Sequence, residues 1–392
     1  MTIPPRGDAA ALLRALVRAD SRNPSLVAGA PGEGGAARVL AAALEQWGFR
    51  VELKDALPGR PNVIARIGRA AGGRTLLLNG HLDVVGVDGM VHPPFEPAER
   101  DGRLYGRGAA DMKGGVAAMC AAAARAHAAH PLDGEAIVTA VIDEEWASAG
   151  TAAVLAAGIR ADAAIVTEPT SCAIMPAHRG FAWFTVTIHG RAAHGSRYDI
   201  GVDAIRLAGL LLAELDAFDA GALAARAHPL LGHASLHAST IEGGLGMSTY
   251  PDRCVLRIER RTLPGERADG ALEELRVACE RVRARRPAFR ADVTLDLAQG
   301  PSDVPVDAPV VRALAAAIER DGGAPRVAGM TAWTDAALLN DAGIPAICYG
   351  PGDIALAHAA EEFVPLAEVE TAARVLERFI ADWCGGRGPW RG

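Results

Sequence analysis

The hydrophobic pattern changes period along the chain. Short, almost uninterrupted apolar runs at residues 62–67, 75–79, 135–142 and 163–166 alternate with longer stretches at 9–18, 36–47 and the Ala-rich 112–129. Runs without a polar face predict strands buried on both sides, and the longer, helically periodic stretches predict helices. A further strand is predicted at 50–53, after Gly48 closes the second helix. This alternation marks an α/β layer structure.

From residue 181 the texture differs. Residues 181–189 alternate aromatic and β-branched side chains, as in a half-exposed antiparallel strand. A helix at 204–218, strands at 234–241 and 253–259, a helix at 270–285 and a strand at 291–297 follow. Strand-helix-strand-strand-helix-strand is the split βαβ order of a small α+β domain. After Pro301, helices at 310–320, 336–340 and 368–384 and a buried strand at 346–349 restore the first pattern. The expected fold class is α/β: a domain of residues 1–178 and 298–392, with an α+β, ferredoxin-like domain of residues 179–297 inserted. A chain of 392 residues is long for one core, in keeping with that division.

Composition removes several function classes. The formal charge of −7 speaks against a nucleic-acid partner, which would favour a basic face. No apolar run reaches transmembrane length, so no membrane partner is expected, and residues 1–8 lack the apolar core of a signal peptide. Cys120, Cys172, Cys254, Cys279, Cys348 and Cys384 form no C-x-x-C pair and read as reduced thiols of a cytoplasmic protein. Histidine and carboxylate remain as metal ligands. Two glycine-rich stretches miss the dinucleotide fingerprint: Asp111 replaces the third glycine after Gly106 and Gly108, and Gly32 to Ala37 follows no predicted strand.

The candidate chemistry sits mostly just after predicted strands. His81 and Asp83, two apart after the 75–79 run, share a side by the period of a strand. His81 is then a metal ligand and Asp83 the acceptor for its other ring nitrogen. Asp111, before the Ala-rich helix, is a bridging carboxylate or a helix N-cap. Asp143-Glu144-Glu145 ends the 135–142 run, Glu168 follows 163–166, and His358 lies beyond Gly350-Pro351-Gly352. Each has an ordinary explanation taken singly, as a chance H-x-D, a solvated acidic turn or a surface carboxylate. Together His81, Asp111, Glu145, Glu168 and His358 make a mixed imidazole and carboxylate set suited to zinc.

These motifs carry a resemblance. Asn79-Gly80-His81-Leu82-Asp83, Gly106 to Gly115, Asp143-Glu144-Glu145, Thr167-Glu168-Pro169 and His358 with Glu362 make the chain similar, from about Ala9 onward, to one family of dizinc metallopeptidases. That family comprises aminoacylases, acetylornithine deacetylases and succinyl-diaminopimelate desuccinylases and includes glutamate carboxypeptidases. The resemblance implies two zinc ions, with cobalt or manganese served by the same donors. His81 and Glu168 would hold one and Glu145 and His358 the other. Asp111 would bridge them ahead of a cis peptide to Met112, Asp83 would support His81, and Glu144 would be the general base.

It further implies that the inserted domain is a lid and dimerisation domain. His194, in Gly190-Arg191-Ala192-Ala193-His194-Gly195, would reach the partner subunit's site and stabilise an oxyanion, and Arg261 would bind a substrate carboxylate. Ser248 and Gly352 are expected at the substrate. Ser248 stands where many members carry asparagine, and Glu259 where aspartate is usual, so the resemblance transfers no specific substrate. The expected activity is hydrolysis of the amide bond of an N-acyl amino acid by a homodimer. A dipeptidase or glutamate-type carboxypeptidase is the alternative, to be separated by a substrate panel. A non-catalytic metal-dependent binding protein is disfavoured because the base and every ligand are present.

Overall fold

The structure, a computed structural model, describes residues 3–69 and 72–386. Its main sheet runs in the order Arg50–Leu57, Arg60–Gly68, Glu135–Val141, Thr75–His81, Ala163–Val166, Ala346–Cys348, Ile174–His178. The central strands Glu135–Val141, Thr75–His81, Ala163–Val166 and Ala346–Cys348 are mutually parallel. Arg50–Leu57, Arg60–Gly68 and Ile174–His178 run antiparallel to their neighbours. Three of the four continuous apolar runs are parallel strands buried along almost their whole length; the fourth, within Arg60–Gly68, is as apolar but runs antiparallel to both neighbours. A parallel arrangement places all their C-terminal ends on one edge.

The Ala-rich helix, Gly114–Ala129, packs between Thr75–His81 and the C-terminal helix Leu366–Trp383. Twelve of its sixteen residues are buried, all within the span up to Ala126, and its alanines let neighbours approach closely there. Gly115 makes the closest approach: a Cβ there would lie 1.8 Å from the Thr167 carbonyl oxygen. The helix begins two residues later than the sequence pattern suggests, because Asp111 and Met112 hold non-helical backbone angles in the wide turn Ala109–Lys113.

Very short strands had no sequence signal. Phe363–Pro365, Arg103–Tyr105 and Ala98–Arg100 form a three-stranded sheet that ties the loop before Asp111 to the segment after His358. The helix Ala149–Ala156, which follows the acidic turn, also escaped the pattern.

The chain divides into two compact units. The larger holds the chain through Pro176, Val304–Ala328 and the chain from Thr334 onward; the smaller holds Ala177–Asp303 and Gly329–Trp333. In the smaller unit the sheet order is Ser235–Gly243, Arg253–Thr262, Gly180–His189, Arg290–Gln299, antiparallel throughout. That is the split βαβ topology. Ala182, Phe184, Val186 and Ile188 point into a core shared with helices Ala204–Phe218 and Ala268–Arg285, while Trp183 and His189 point outward.

Gly115→Ala should lower the calorimetric unfolding midpoint by several degrees. Overpacking against backbone costs about 1–3 kcal/mol. An unchanged midpoint would show that the helix and the Thr167 backbone do not meet as closely as described.

Candidate metal centre

The parallel register delivers the predicted residues to one edge. His81 is the last residue of its strand and lies opposite Val141, so the Asp143-Glu144-Glu145 turn begins beside it. Asn79 lies opposite Val166, which sets Glu168 level with His81. Ala346–Cys348, parallel to Ala163–Val166, leads through Gly350-Pro351-Gly352 to His358. Asp111 enters from the wide turn. It is not a helix N-cap: the helix Gly114–Ala129 starts three residues later, and the two side-chain oxygens of Asp111 face histidines instead of backbone amides. Its peptide to Met112 is cis.

Side chains from these five segments converge. His81 Nε2 lies 3.1 Å from Asp111 Oδ1 and 3.9 Å from Glu144 Oε2. His358 Nε2 lies 2.9 Å from Glu145 Oε2 and 3.6 Å from Asp111 Oδ2. The two oxygens of Asp111 therefore face different histidines. His81, Asp111 and Glu145 each bring a donor atom within 4.8 Å of the other two, and so do His81, Glu144 and Glu168. Glu168 is buried, and its Oε1 has no hydrogen-bond partner among the described residues.

Crowded carboxylates in a dry place perturb one another. Burial, together with the charges of Glu168, Asp335 and Glu145, holds Glu144 well above the usual carboxylate range despite His81. Glu168 is raised in the same way, by burial and by Asp111. Burial alone would lower His81, but the hydrogen bond to Asp111 and the charges of Glu144, Asp111 and Asp83 outweigh it and raise its pKa well above normal. Glu145 does the same for the more exposed His358. In this state the cluster holds protons where cations would relieve the repulsion.

Carboxylates outside the donor cluster hold the loops. Asp83 was expected to take the proton of the second ring nitrogen of His81, but its backbone oxygen does so, 2.9 Å from Nδ1, while Oδ1 stands off at 3.7 Å. The carboxylate instead accepts the amides of Glu144 (3.2 Å) and Glu145 (3.1 Å) and the side-chain amide of Asn23 (2.9 Å). Burial pushes Asp83 up to about 7. Glu362, fully buried, accepts the amides of Gly108 (3.0 Å), Ala110 (3.0 Å) and Asp111 (3.2 Å) and pairs with Arg107 at 2.8 Å. Asn62 braces both feet of the acidic turn, accepting from the Ile142 amide (3.1 Å) and donating to the Gly150 carbonyl (2.8 Å). Sequence reasoning missed Asn23, Glu33, Arg60 and Asn62. The only signal for Asn23, Arg60 and Asn62 is a proline neighbour, in Asn23-Pro24 and Arg60-Pro61-Asn62; Glu33, between Gly32 and Gly34, has none.

The remaining predicted residues divide between the units. Gly352, in the larger, has its amide on Glu368 Oε2 (2.9 Å) and its carbonyl on the Ser171 amide (2.6 Å), which leaves no backbone donor there for a substrate. His194, Ser248 and Arg261 belong to the smaller unit. His194 is exposed, and the Ser196 amide donates to its Nδ1 at 3.2 Å, so the neutral ring carries its hydrogen on Nε2. The Ser248 carbonyl accepts the Gly195 amide at 2.7 Å, joining the two predicted segments. Arg261 is paired with Glu259 at 2.8 Å and lies over the Phe181 ring.

The family model described as "Peptidase family M20/M25/M40" matches residues 77–382. The chain belongs to this family. It is 32% identical over 357 residues to an acetylornithine deacetylase of Myxococcus xanthus, covering 88% of this chain and 91% of that protein. It is 30% identical over 378 residues to an N-formyl-4-amino-5-aminomethyl-2-methylpyrimidine deformylase of Bacillus subtilis, covering 88% of each. The fold superimposes on the Bacillus subtilis YXEP protein, a dinuclear metal-binding peptidase of the family, with a TM-score of 0.73 at 18% identity over 96% of this chain and 97% of that one. As a member of this metal-dependent family the chain is a hydrolase acting on amide bonds. Among the described residues no helix is long and apolar enough to cross a membrane.

His81, His358 and Glu168 must each lose a proton to bind a cation. Their pKa values are raised, so metal loading of the metal-free protein should release protons and weaken as pH falls through those values. Calorimetry in buffers of different ionisation enthalpy reads this directly. Affinity independent of pH across the neutral and mildly acid range would refute it.

Proposed function

We propose that the chain is a two-metal amidohydrolase that removes the acyl group from an N-acyl amino acid carrying a free carboxylate, as a cytoplasmic homodimer. The observation that carries this reading is Asp111, whose two oxygens face His81 on one side and His358 on the other. His81, Glu168 and Asp111 would hold one cation, and Glu145, His358 and Asp111 the second. The fit is supported by the partnerless buried oxygen of Glu168 and by the repulsion among Asp111, Glu144, Glu145 and Glu168. Mixed imidazole and carboxylate donors suit zinc, and cobalt or manganese would satisfy them as well.

Bound divalent ions supply Lewis-acid polarisation of an amide carbonyl and acidify water toward neutrality. The protein's part is proton traffic and orientation. Glu144, whose Oε2 lies 3.9 Å from His81 Nε2 at the edge of the proposed ligands, takes a proton from the attacking water. It then returns that proton to the leaving nitrogen, so the amine departs neutral. Burial around His81, Asp83 and Glu168 limits bulk water. His194 from the partner subunit, with hydrogen on Nε2, would donate to the carbonyl oxygen as negative charge develops there. Arg261 would take the substrate carboxylate, exchanging its contact with Glu259 for the ligand. Ser248, on the segment joined to His194, is the further contact. The free edge of Ser235–Gly243, paired only with Arg253–Thr262 among the described strands, supports pairing with a second copy.

The deacylase assignment rests on the named activities of the acetylornithine deacetylase and deformylase relatives, both of which release an acyl group. A panel of N-acetyl, N-formyl and N-succinyl amino acids beside dipeptides, with and without chelator, tests it. Chelator-sensitive release of acyl groups is expected, and exclusive cleavage of dipeptides would replace the deacylase reading. Glu144→Ala should still bind two metal equivalents while kcat falls by about 10²–10⁴-fold. Near-normal turnover in that variant would remove Glu144 from the mechanism.

A further inference from the structure

Arg60 opens the strand Arg60–Gly68 and touches none of the proposed ligands, yet its guanidinium is only 11% exposed and fully engaged. Its Nε and Nη2 grip Glu33 bidentately, at 2.9 and 2.5 Å. Nη1 donates to Ser25 Oγ at 3.2 Å. Nη2 also reaches Asp143 Oδ1 and Asn23 Oδ1, each at 3.1 Å. A two-point grip fixes the plane of the guanidinium, so the direction in which Nη2 holds Asp143 is fixed too. Glu33 is buried at the start of helix Gly34–Gln46 and makes no side-chain cap bond there, so its carboxylate is committed to Arg60.

Asp143 is the pivot of the acidic turn. Its φ is +66°, a region non-glycine residues seldom occupy, and its carbonyl accepts the amides of Trp146, Ala147 and Ser148 at 3.3, 3.0 and 2.6 Å. Asn23 extends the hold: its Nδ2 bridges Asp143 Oδ1 (3.1 Å) and Asp83 Oδ2 (2.9 Å), and Asp83 carries the amides of Glu144 and Glu145. One cation thus sits at the root of contacts that converge on the two residues after Asp143. It also places positive charge against an otherwise acidic cluster.

We propose that Arg60 is a positioning residue, which by gripping Asp143 and Asn23 fixes the Asp143–Glu145 turn and so aims Glu144 at the reacting water and Glu145 at its metal. This rests on the roles of Glu144 and Glu145 proposed above. Arg60 acts through Asp143; it is not itself catalytic.

The test compares Arg60→Met, Arg60→Lys and Asp143→Asn with the unaltered protein. The readouts are steady-state kinetics on the best panel substrate, calorimetric titration of the metal-free protein with zinc, and hydrogen exchange at amides 144–148. Arg60→Met should lower kcat by about 10–100-fold with KM little changed, and weaken one of two zinc equivalents by about 10–100-fold. Exchange should accelerate at amides 144–148 but not across the central strands. Arg60→Lys keeps the charge without the fork and should recover part of each effect; Asp143→Asn should move each in the same direction.

A folded Arg60→Met with unaltered zinc affinities and unaltered exchange at 144–148 overturns the proposal. So does exchange that rises evenly through the sheet, which marks a merely structural arginine. If Arg60→Met does not fold, Asp143→Asn decides by the same two measurements. Neither zinc titration nor exchange needs turnover. An inactive unaltered enzyme therefore sinks the activity reading and leaves Arg60 to be judged separately.

Discussion

Asp83 and Glu362 direct both carboxylate oxygens at backbone amides of the loops that carry candidate ligands, the one at Glu144 and Glu145, the other at Gly108, Ala110 and Asp111. Glu144 and the candidate donors together make a cluster of four acids and two histidines, whose carboxylates repel one another, and side-chain rotamers alone would let it spread. Fixing peptide groups with buried acceptors sets the Cα–Cβ directions from which those side chains extend and leaves only their own rotations free. Hydrogen bonds to a charged acceptor are among the stronger ones available, and burial denies them competition from water. Peptide capture, supplemented at the acidic turn by Asn62, fixes the loops while the candidate ligand side chains contact one another.

The parallel strands set where this can happen. Strands that share a direction end together, and an α/β sheet presents those ends as a crevice. Here the ends of Thr75–His81, Glu135–Val141, Ala163–Val166 and Ala346–Cys348 carry His81, the acidic turn, Glu168 and the approach to His358. Only Asp111 arrives otherwise, through a turn packed against the Ala-rich helix. The small sheet of Phe363–Pro365 with Arg103–Tyr105 brings Glu362 to that turn.

Much of this was legible in the chain. Fully apolar runs marked the central strands, and acids and histidines just beyond them marked the donor edge. The split βαβ order of the smaller unit followed from a change of period near residue 181. What was not legible has physical reasons. Three-residue strands such as Arg103–Tyr105 are too short to show alternation. The period of a strand put Asp83 beside His81 but could not choose between its backbone and side-chain oxygens. Arg60 and Asp143, or Asn23 and Asp83, are joined across long stretches of sequence and leave no local pattern. Asp111 fits a cap by sequence, and only the later start of the helix and the facing of its two oxygens toward His81 and His358 decide against one.

The sheet order also has a consequence in time. Ala346–Cys348 lies between Ala163–Val166 and Ile174–His178, strands made long before it during synthesis. Until that late strand emerges from the ribosome, the growing chain carries His81, Asp111, Glu145 and Glu168 but neither His358 nor the Glu362 clamp. Pairing so distant in sequence is slow, because a long loop must close before any contact rewards it. The donor edge is therefore completed last, and an unfinished chain holds an open strand edge beside an incomplete acid cluster.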